Sequence, residues 1–418
     1  MNSKMKCDIA VIGGGASGLS AAVGAAMTDS SASIIIAERL NKTGRKILAT
    51  GNGRCNLSNK KLENQFYHGS VKNVMQIIGE TLSAEDFFAG LGIMCKSDSQ
   101  GRIYPYSNSA ASVLGALRLE ICRCGIHEEC GFEVKSIKKS KSRYVLASDA
   151  GDEIECRRII SAAGGYAAPS FGTDGSALRM FREMGYKTSK IYPSIAPLKV
   201  NPSEIKGLKG VRVKGNIAAV AEGKILGEEY GEIQFTENAV SGICVFNLSH
   251  FASAHEGNLY IRADLTPDIS EEKLMEYLFC VQSVRCDCTA EELLTGLFVK
   301  NLAVYLVKRA LKKPLVIKIS DIKYSEMKKI AELIKSLEFK VAGSAAWQNA
   351  QVTSGGIHGS CVDENLESVL DRGIYFAGEI LDVDGICGGY NLQWAWSSGL
   401  WAGKNCAESL KNGVRRNG

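Results

Sequence analysis

A chain of 418 residues is too long for one small core and predicts two to three domains. Hydrophobic residues make up 45% and charged residues 23%, the balance of an ordinary soluble globular protein. The net charge of +5 is mildly basic and sits partly in clusters at Lys135 to Arg143 and Lys308 to Lys318. These read as solvated faces and turn tips, and no aromatic residues interleave with them as in a nucleic-acid groove, so nucleic acid is not an expected partner.

The apolar run Cys7 to Ile12 predicts a strand, and VIGGGASGLSAA at 11–22 places Gly13, Gly15 and Gly18 in G-x-G-x-x-G register before a small-residue helix, Leu19 to Met27. Gly13 permits a tight turn, Gly15 lets a pyrophosphate approach the backbone, and Gly18 lets helix and strand pack closely. The helix start, Ala16 and Ser17, offers free N–H groups and a positive dipole end to phosphates. Ile9 to Ala26 is apolar enough to resemble a signal peptide or membrane span, but its glycines, Ser17 and Ser20 make a poor membrane helix, and no other segment qualifies. The next strand, Ser33 to Ala37, ends in Glu38, an acid placed to bind ribose hydroxyls. That acid favours FAD or NAD over NADP, and its neighbour Arg39 weakens the exclusion.

The segment GRKILATGNGRCNLSN, from Gly44, is expected to be a loop, too glycine-rich and polar for an element. Within it Gly51, Asn52, Gly53, Arg54, Cys55 and Asn56 add backbone donors and two polar side chains suited to a pyrophosphate or a ring edge. Cys55 reads as a small packed thiol rather than a nucleophile, because no cysteine or histidine lies near it in sequence. Residues 70–124 read as helices, with Ser83 as an N-cap and Gly125 as a stop. Ile126 to Ile160 alternates as strands, Val134 falling where the chain passes the adenine. Ile159 to Gly165 then returns a strand to the nucleotide sheet and carries Ala163 and Gly164 there.

From Ile191 short strands broken by glycine turns predict a barrel or sandwich; SEEKLMEY and TAEELLTG predict helices between Pro267 and Lys313; PLVIKIS predicts a strand and Ser325 to Leu337 a helix. VTSGGI at 352–357 leads back. Gly373 to Ala377 predicts a buried strand, followed by Gly378, Glu379, a glycine-rich loop and a helix from about Asn391, so that Gly389, Tyr390, Asn391 and Leu392 lie at a helix start. That start suits negative charge on a reduced flavin ring. The expected fold is α/β: a Rossmann-like FAD-binding domain built from both chain ends (1–190 and 346–418), an inserted β-barrel-like domain (191–266 and 314–345) and a small helical subdomain (267–313). The glycine-rich segments 11–22 and 376–399 are the two jaws of one flavin site.

Fourteen cysteines without a secretory signal point to a reducing cytoplasm, and two C-x-C pairs without a histidine set predict no metal site. His358 is the histidine expected to face the cleft, although a packing role fits it better. Tyr104, Tyr106, Tyr166, Tyr390 and Glu379 are open candidates for a proton donor, and the sequence assigns no catalytic residue.

With GGGASGLSAA, GRKILATGNGRCNLSN, AAGGYAAPSFGTDGSA, VTSGGI and GEILDVDGICGGYNLQWAWSSGLWAG in place, the chain resembles the bile-acid-inducible N type of flavoprotein, of the aminoacetone oxidase or NAD(P)/FAD-dependent oxidoreductase group. The resemblance runs from residue 11 to 403. It implies FAD between the chain ends, with Gly13 to Gly18 at the pyrophosphate, Glu38 at the ribose, Arg45, Lys46 and Gly51 to Asn56 at the middle of the cofactor, and Gly378, Glu379 and Gly389 to Leu392 along the ribityl chain and ring. It also implies either reduction of the Δ4 and Δ6 double bonds of 3-oxo bile-acid intermediates or oxidation of aminoacetone. No second G-x-G-x-x-G carries the strand and acid of a separate nicotinamide domain, so NAD(P)H is expected to visit the flavin transiently, or a redox partner protein to supply electrons. The leading expectation is an FAD-dependent oxidoreductase acting on an activated C=C bond of a steroid-like substrate. The alternatives are a peroxide-forming amine oxidase and a flavin-carrying factor that binds RNA or a partner protein.

Overall fold

The computed structural model describes residues 3–140, 142–255, 257–344 and 346–415; Lys141, within the basic cluster at 135–143, lies outside them. Two compact units emerge, Met1–Tyr192 with Gln351–Gly418, and Pro193–Ala350.

The first unit is built on a five-stranded sheet in the order Ile374–Phe376, Arg158–Ser161, Ile9–Ile12, Ile34–Glu38, His127–Cys130, every neighbouring pair parallel. Ile9–Ile12 and Ile34–Glu38 are buried at every position, which explains why both read as unbroken apolar runs: helices or sheets cover a parallel sheet on both faces. One face packs against helices Ala16–Thr28, Ala110–Arg123 and Tyr390–Arg415. The other packs against a four-stranded sheet of Lys4–Lys6, Glu153–Cys156, Arg143–Ser148 and Val134–Ser140. The helices from the two ends of the chain cross with their backbones nearly touching. A Cβ on Gly403 would lie 2.2 Å from the Ala21 carbonyl, and one on Gly399 would lie 2.5 Å from that of Ser17. Ser20 bridges the crossing, its hydroxyl donating to the Ala395 carbonyl at 3.3 Å.

The second unit is a closed six-stranded barrel in the order Leu198–Val200, Ala239–Ser241, Lys224–Phe235, Arg212–Ala221, Leu259–Asp264, Leu337–Ser344. Closure leaves no exposed sheet edge. Its core is continuous with that of helices Glu271–Val284, Lys300–Leu311 and Tyr324–Lys335.

Four local expectations are corrected. The segment from Gly44 is not all loop: Arg45–Ala49 forms a short helix, since Arg-Lys-Ile-Leu-Ala has good helix propensity once Gly44 (φ 75°) has turned the chain. Residues 70–124 also contain an antiparallel pair, Cys95–Ser97 with Arg102–Pro105, that helical periodicity hid. TAEELLTG yields a single 3-10 turn, Ala290–Glu292, behind a Thr289/Glu292 capping box. PLVIKIS is not a strand. Lys318 makes one bridge with Thr289, Val316 is 80% exposed, and Leu315, Ile317 and the fully buried Ile319 pack on the core. Among the described residues no helix is long and apolar enough to cross a membrane.

Candidate functional site

The turn at Gly13 to Gly18 is shaped by contacts that leave no room for side chains. Gly13 has φ 94°, and a Cβ there would lie 2.7 Å from the Ala162 carbonyl and 3.0 Å from Ala163 Cα. A Cβ on Gly18 would stand 1.8 Å from the Gly13 carbonyl. Gly15 differs: nothing lies within 4 Å of its Cβ position, and it is the N-cap of helix Ala16–Thr28 with no side-chain cap and no acidic residue in the first turn. An open, uncapped helix start beside a glycine turn fits a phosphate group.

Glu38 ends its strand 8% exposed, and both carboxylate oxygens hold backbone: Oε2 accepts from Gly14 N at 2.7 Å and Oε1 from Leu40 N at 2.8 Å. Each oxygen keeps lone pairs, so the acid fixes the phosphate turn and can still receive hydroxyl donors. Arg39 is occupied, with Asp174 at 2.8 Å and Glu133 at 3.2 Å. Burial raises the Asp174 pKa, but hydrogen bonds from Arg39 and Ser176 outweigh it and hold that carboxyl below its usual range. Val134, half-buried, follows the Phe132 N–H that donates to Glu38 O at 2.9 Å, and Gly164 takes φ 75° beyond Ala163.

The second jaw meets the first directly. A Cβ on Gly378 would lie 2.3 Å from Ser17 Oγ, and the Gly378 N–H donates to Ser398 Oγ at 2.9 Å. Between the jaws runs the loop at 51–56, in which Gly51, Asn52, Gly53 and Cys55 all have positive φ. It passes so close to the start of helix Tyr390–Arg415 that a Cβ on Gly389 would stand 2.3 Å from Ser58 O and 2.9 Å from Asn56 Oδ1. Asn56 Oδ1 is buried there without a hydrogen-bond partner among the described residues, which fits a bound donor group such as a flavin N–H. Asn391 clamps the loop ahead of this helix, accepting from Gly385 N at 2.9 Å and donating to Gly385 O at 2.7 Å. Leu392 packs into the core.

Lys46 lies at the centre of a polar hub. Its Nζ is 2.8 Å from Glu379 Oε2 and donates to Ala167 O at 3.3 Å; Glu379 Oε1 accepts from Thr353 N at 2.7 Å. The fully buried Thr353 hydroxyl accepts from Tyr166 N at 2.8 Å and Ala167 N at 3.0 Å. One network thus joins four distant segments. Arg45 is exposed and, among the described residues, in no ion pair, and Arg54 stacks over the Tyr104 ring at 4.8 Å.

Other candidates resolve unevenly. Cys55 is fully buried, and burial pushes its thiol up to about 12, as a packed cysteine requires. His358 caps the Gly359–Cys361 turn, Nδ1 accepting from Ser360 N at 3.1 Å. Tyr106 is 63% exposed, whereas Tyr390 is buried, which raises its pKa. A further group went unread in the sequence. Strand Val383–Gly385 runs antiparallel to Tyr67–Gly69 with His68 directly opposite Asp384, His68 Nδ1 lying 3.6 Å from Asp384 Oδ2. The Asp384 side chain is 4% exposed and that of His68 37%. Asp382, two residues back on the same strand face, accepts from Ser189 Oγ at 2.5 Å. Burial, then nearby Asp384, raises the pKa of Tyr192. The signal was the D-V-D spacing, two acids placed to share one strand face.

Residues 7–405 match the model of the HI0933-like protein Rossmann domain. The chain belongs to the HI0933-like family. It is 38% identical over 411 residues, 96% of this chain and 99% of the relative, to the "3-dehydro-bile acid delta(4,6)-reductase" of Clostridium scindens. It is 27% identical to the "Ribosomal RNA dihydrouridine synthase" of Haemophilus influenzae (93% of this chain, 95% of the relative) and 25% identical to that of Escherichia coli (96% and 98%). The blocks that marked the resemblance, from GGGASGLSAA to GGYNLQWA, lie inside the family match, and the Rossmann fold expected from them is the fold observed.

Proposed function

We propose that the protein binds FAD between its two glycine-rich jaws and reduces a C=C bond conjugated to a ketone, in a steroid-like substrate, with NAD(P)H as electron source. The observation that carries the reading is the end-to-end similarity to a relative named for this reaction. In this reading Gly13 to Gly18 hold the pyrophosphate at the uncapped helix start, Glu38 meets the ribose, Lys46 and the 51–56 loop line the middle, and Gly378, Glu379 and Gly389 to Leu392 line the ribityl chain and ring. Bound FAD supplies two-electron transfer between the nicotinamide and an electron-poor carbon. The protein holds the cofactor's charge at two helix starts and excludes water with a packed core. No disulfide joins the cysteines of the described residues, which suits the cytoplasm.

Two relatives named for dihydrouridine formation support a second reading with the same chemistry, since the reduced C=C bond of uracil is also conjugated to a carbonyl. One anaerobic spectroscopic titration separates these. A yellow protein that bleaches with NADH and regains colour with a 3-oxo-4,6-diene bile acid supports the steroid substrate; recovery only with unmodified ribosomal RNA supports the second reading. Recovery only with air, with peroxide formed, indicates an oxidase. A protein that stays colourless after incubation with FAD overturns the flavin reading.

A further inference from the structure

Leu57, Ser58 and Asn59 are each tied to the closing helix or to its approach. The Trp396 indole N–H donates to Leu57 O at 3.1 Å, Ser58 Oγ donates to Gln393 Oε1 at 2.5 Å, and Asn59 Nδ2 donates to Gly388 O at 3.1 Å. Ser58 is 2% exposed and Gln393 1%, so this clamp is sealed from water. Asn56 is next in the chain and breaks the pattern. Its Oδ1 is buried and accepts from nothing among the described residues, although a Cβ on Gly389 would lie only 2.9 Å away. A buried carbonyl oxygen that is unpaired while its chain neighbours are all bonded fits a donor carried by a ligand. Donors of the protein's own stand beside it. The Gln393 N–H closes the first turn of the helix on Gly389 O at 2.9 Å, so those of Tyr390, Asn391 and Leu392 have no acceptor within the helix.

One acceptor beside a row of donors is the complement of an imide edge, in which an N–H stands between two carbonyls. The isoalloxazine ring of FAD carries that edge at C2, N3 and C4, and a uracil ring carries it too. We propose that Asn56 Oδ1 accepts the N3–H of the bound flavin, while the donors at the start of helix Tyr390–Arg415 take a flanking carbonyl. N3–H, unlike N5–H, is present in both the oxidised and the reduced ring, so a bond there satisfies the buried oxygen in either state. The pairing turns the pyrimidine side of the ring toward the clamp at 57–59. It also gives the 51–56 loop a task beyond lining the cofactor: it selects a ring whose imide nitrogen is unsubstituted.

The proposal rests on the flavin reading, and the test separates the two. FAD-free full-length protein is titrated with FAD and with 3-methyl-FAD, and binding is followed by flavin fluorescence. Wild type should bind 3-methyl-FAD about 100-fold or more weakly than FAD, because the methyl group removes the donor and crowds the buried oxygen. Asn56→Ala should bind FAD about 10-fold more weakly than wild type and distinguish the two cofactors by no more than about threefold. Its affinities for oxidised and reduced FAD should fall by the same factor. In wild type loaded with FAD labelled with ¹⁵N at N3, the N3–H should exchange with solvent about 100-fold or more slowly than in free FAD, a readout that needs no variant. Wild type that binds both cofactors equally, an N3–H that exchanges as fast as in free FAD, or an Asn56→Ala loss confined to reduced FAD overturns the assignment and leaves the flavin reading standing. If Asn56→Ala weakens binding of uridine monophosphate but not of FAD, the edge serves a uracil substrate and the assignment is again overturned. Wild type that binds no FAD overturns the flavin reading and the proposal with it.

Discussion

Gly15 and Gly18 stand three residues apart in one turn under opposite constraints, so alanine at each reports on a different property. Gly15 has φ −82° and open space at its Cβ, so Gly15→Ala should melt within about 2 °C of wild type in the FAD-free state while weakening FAD binding at least 10-fold by flavin fluorescence. Gly18→Ala places a Cβ 1.8 Å from a backbone oxygen and should cost about 3 kcal/mol or more in urea unfolding, with or without cofactor. Thr353→Val keeps the shape but strands two buried N–H groups, and should cost about 1–3 kcal/mol by the same measurement. The buried thiols predict a pH effect of definite sign. Burial pushes Cys7 and Cys55 up to about 12 from an ordinary 9.0, so between those values the unfolded chain has released protons that the folded chain still holds. Stability is therefore intact below pH 9 and falls above it, by up to about 1.4 kcal/mol per pH unit for each such thiol, as denaturant titrations from pH 8 to 11 would measure.

At the scale of elements, the crossing of Ala16–Thr28 with Tyr390–Arg415 decides whether the jaws meet. Gly403→Leu pushes a side chain into the Ala21 carbonyl and should abolish FAD retention on gel filtration even though it lies more than three helical turns from Gly389. Elements with strict periodicity or long apolar runs were legible in the sequence: the parallel strands, the fingerprint helix, the Ser83 cap and the closing helix all lie close to where the pattern put them. What escaped were elements set by tertiary pairing. PLVIKIS has strand propensity but pairs through a single bridge, Lys318 with Thr289, and Arg102–Pro105 is a strand because Cys95–Ser97 lies beside it. The site divides in the same way. Glycines and caps declare themselves locally, whereas the His68–Asp384 pair is separated by more than 300 residues of chain and exists only through the Tyr67–Gly69 and Val383–Gly385 pairing.

At the scale of the whole molecule, the two units differ in how the chain builds them. Pro193–Ala350 is continuous and has its own closed barrel and core, so it should fold when expressed alone, giving a cooperative thermal transition and dispersed NMR signals. The other unit is discontinuous, and residues 1–192 alone should remain partly unfolded, because the edge strand Ile374–Phe376 and the closing helix are missing. This construction also sets an order in time. At roughly 5–20 residues per second of translation, the fingerprint turn leaves the ribosome on the order of 20–75 s before Gly389 is made. The barrel can close only late in that interval, once its last strand Leu337–Ser344 is made, and the apolar strands of the cofactor unit wait uncovered throughout, so holo-protein assembly is a post-translational event. Chaperone demand during synthesis should accordingly fall on the first 192 residues.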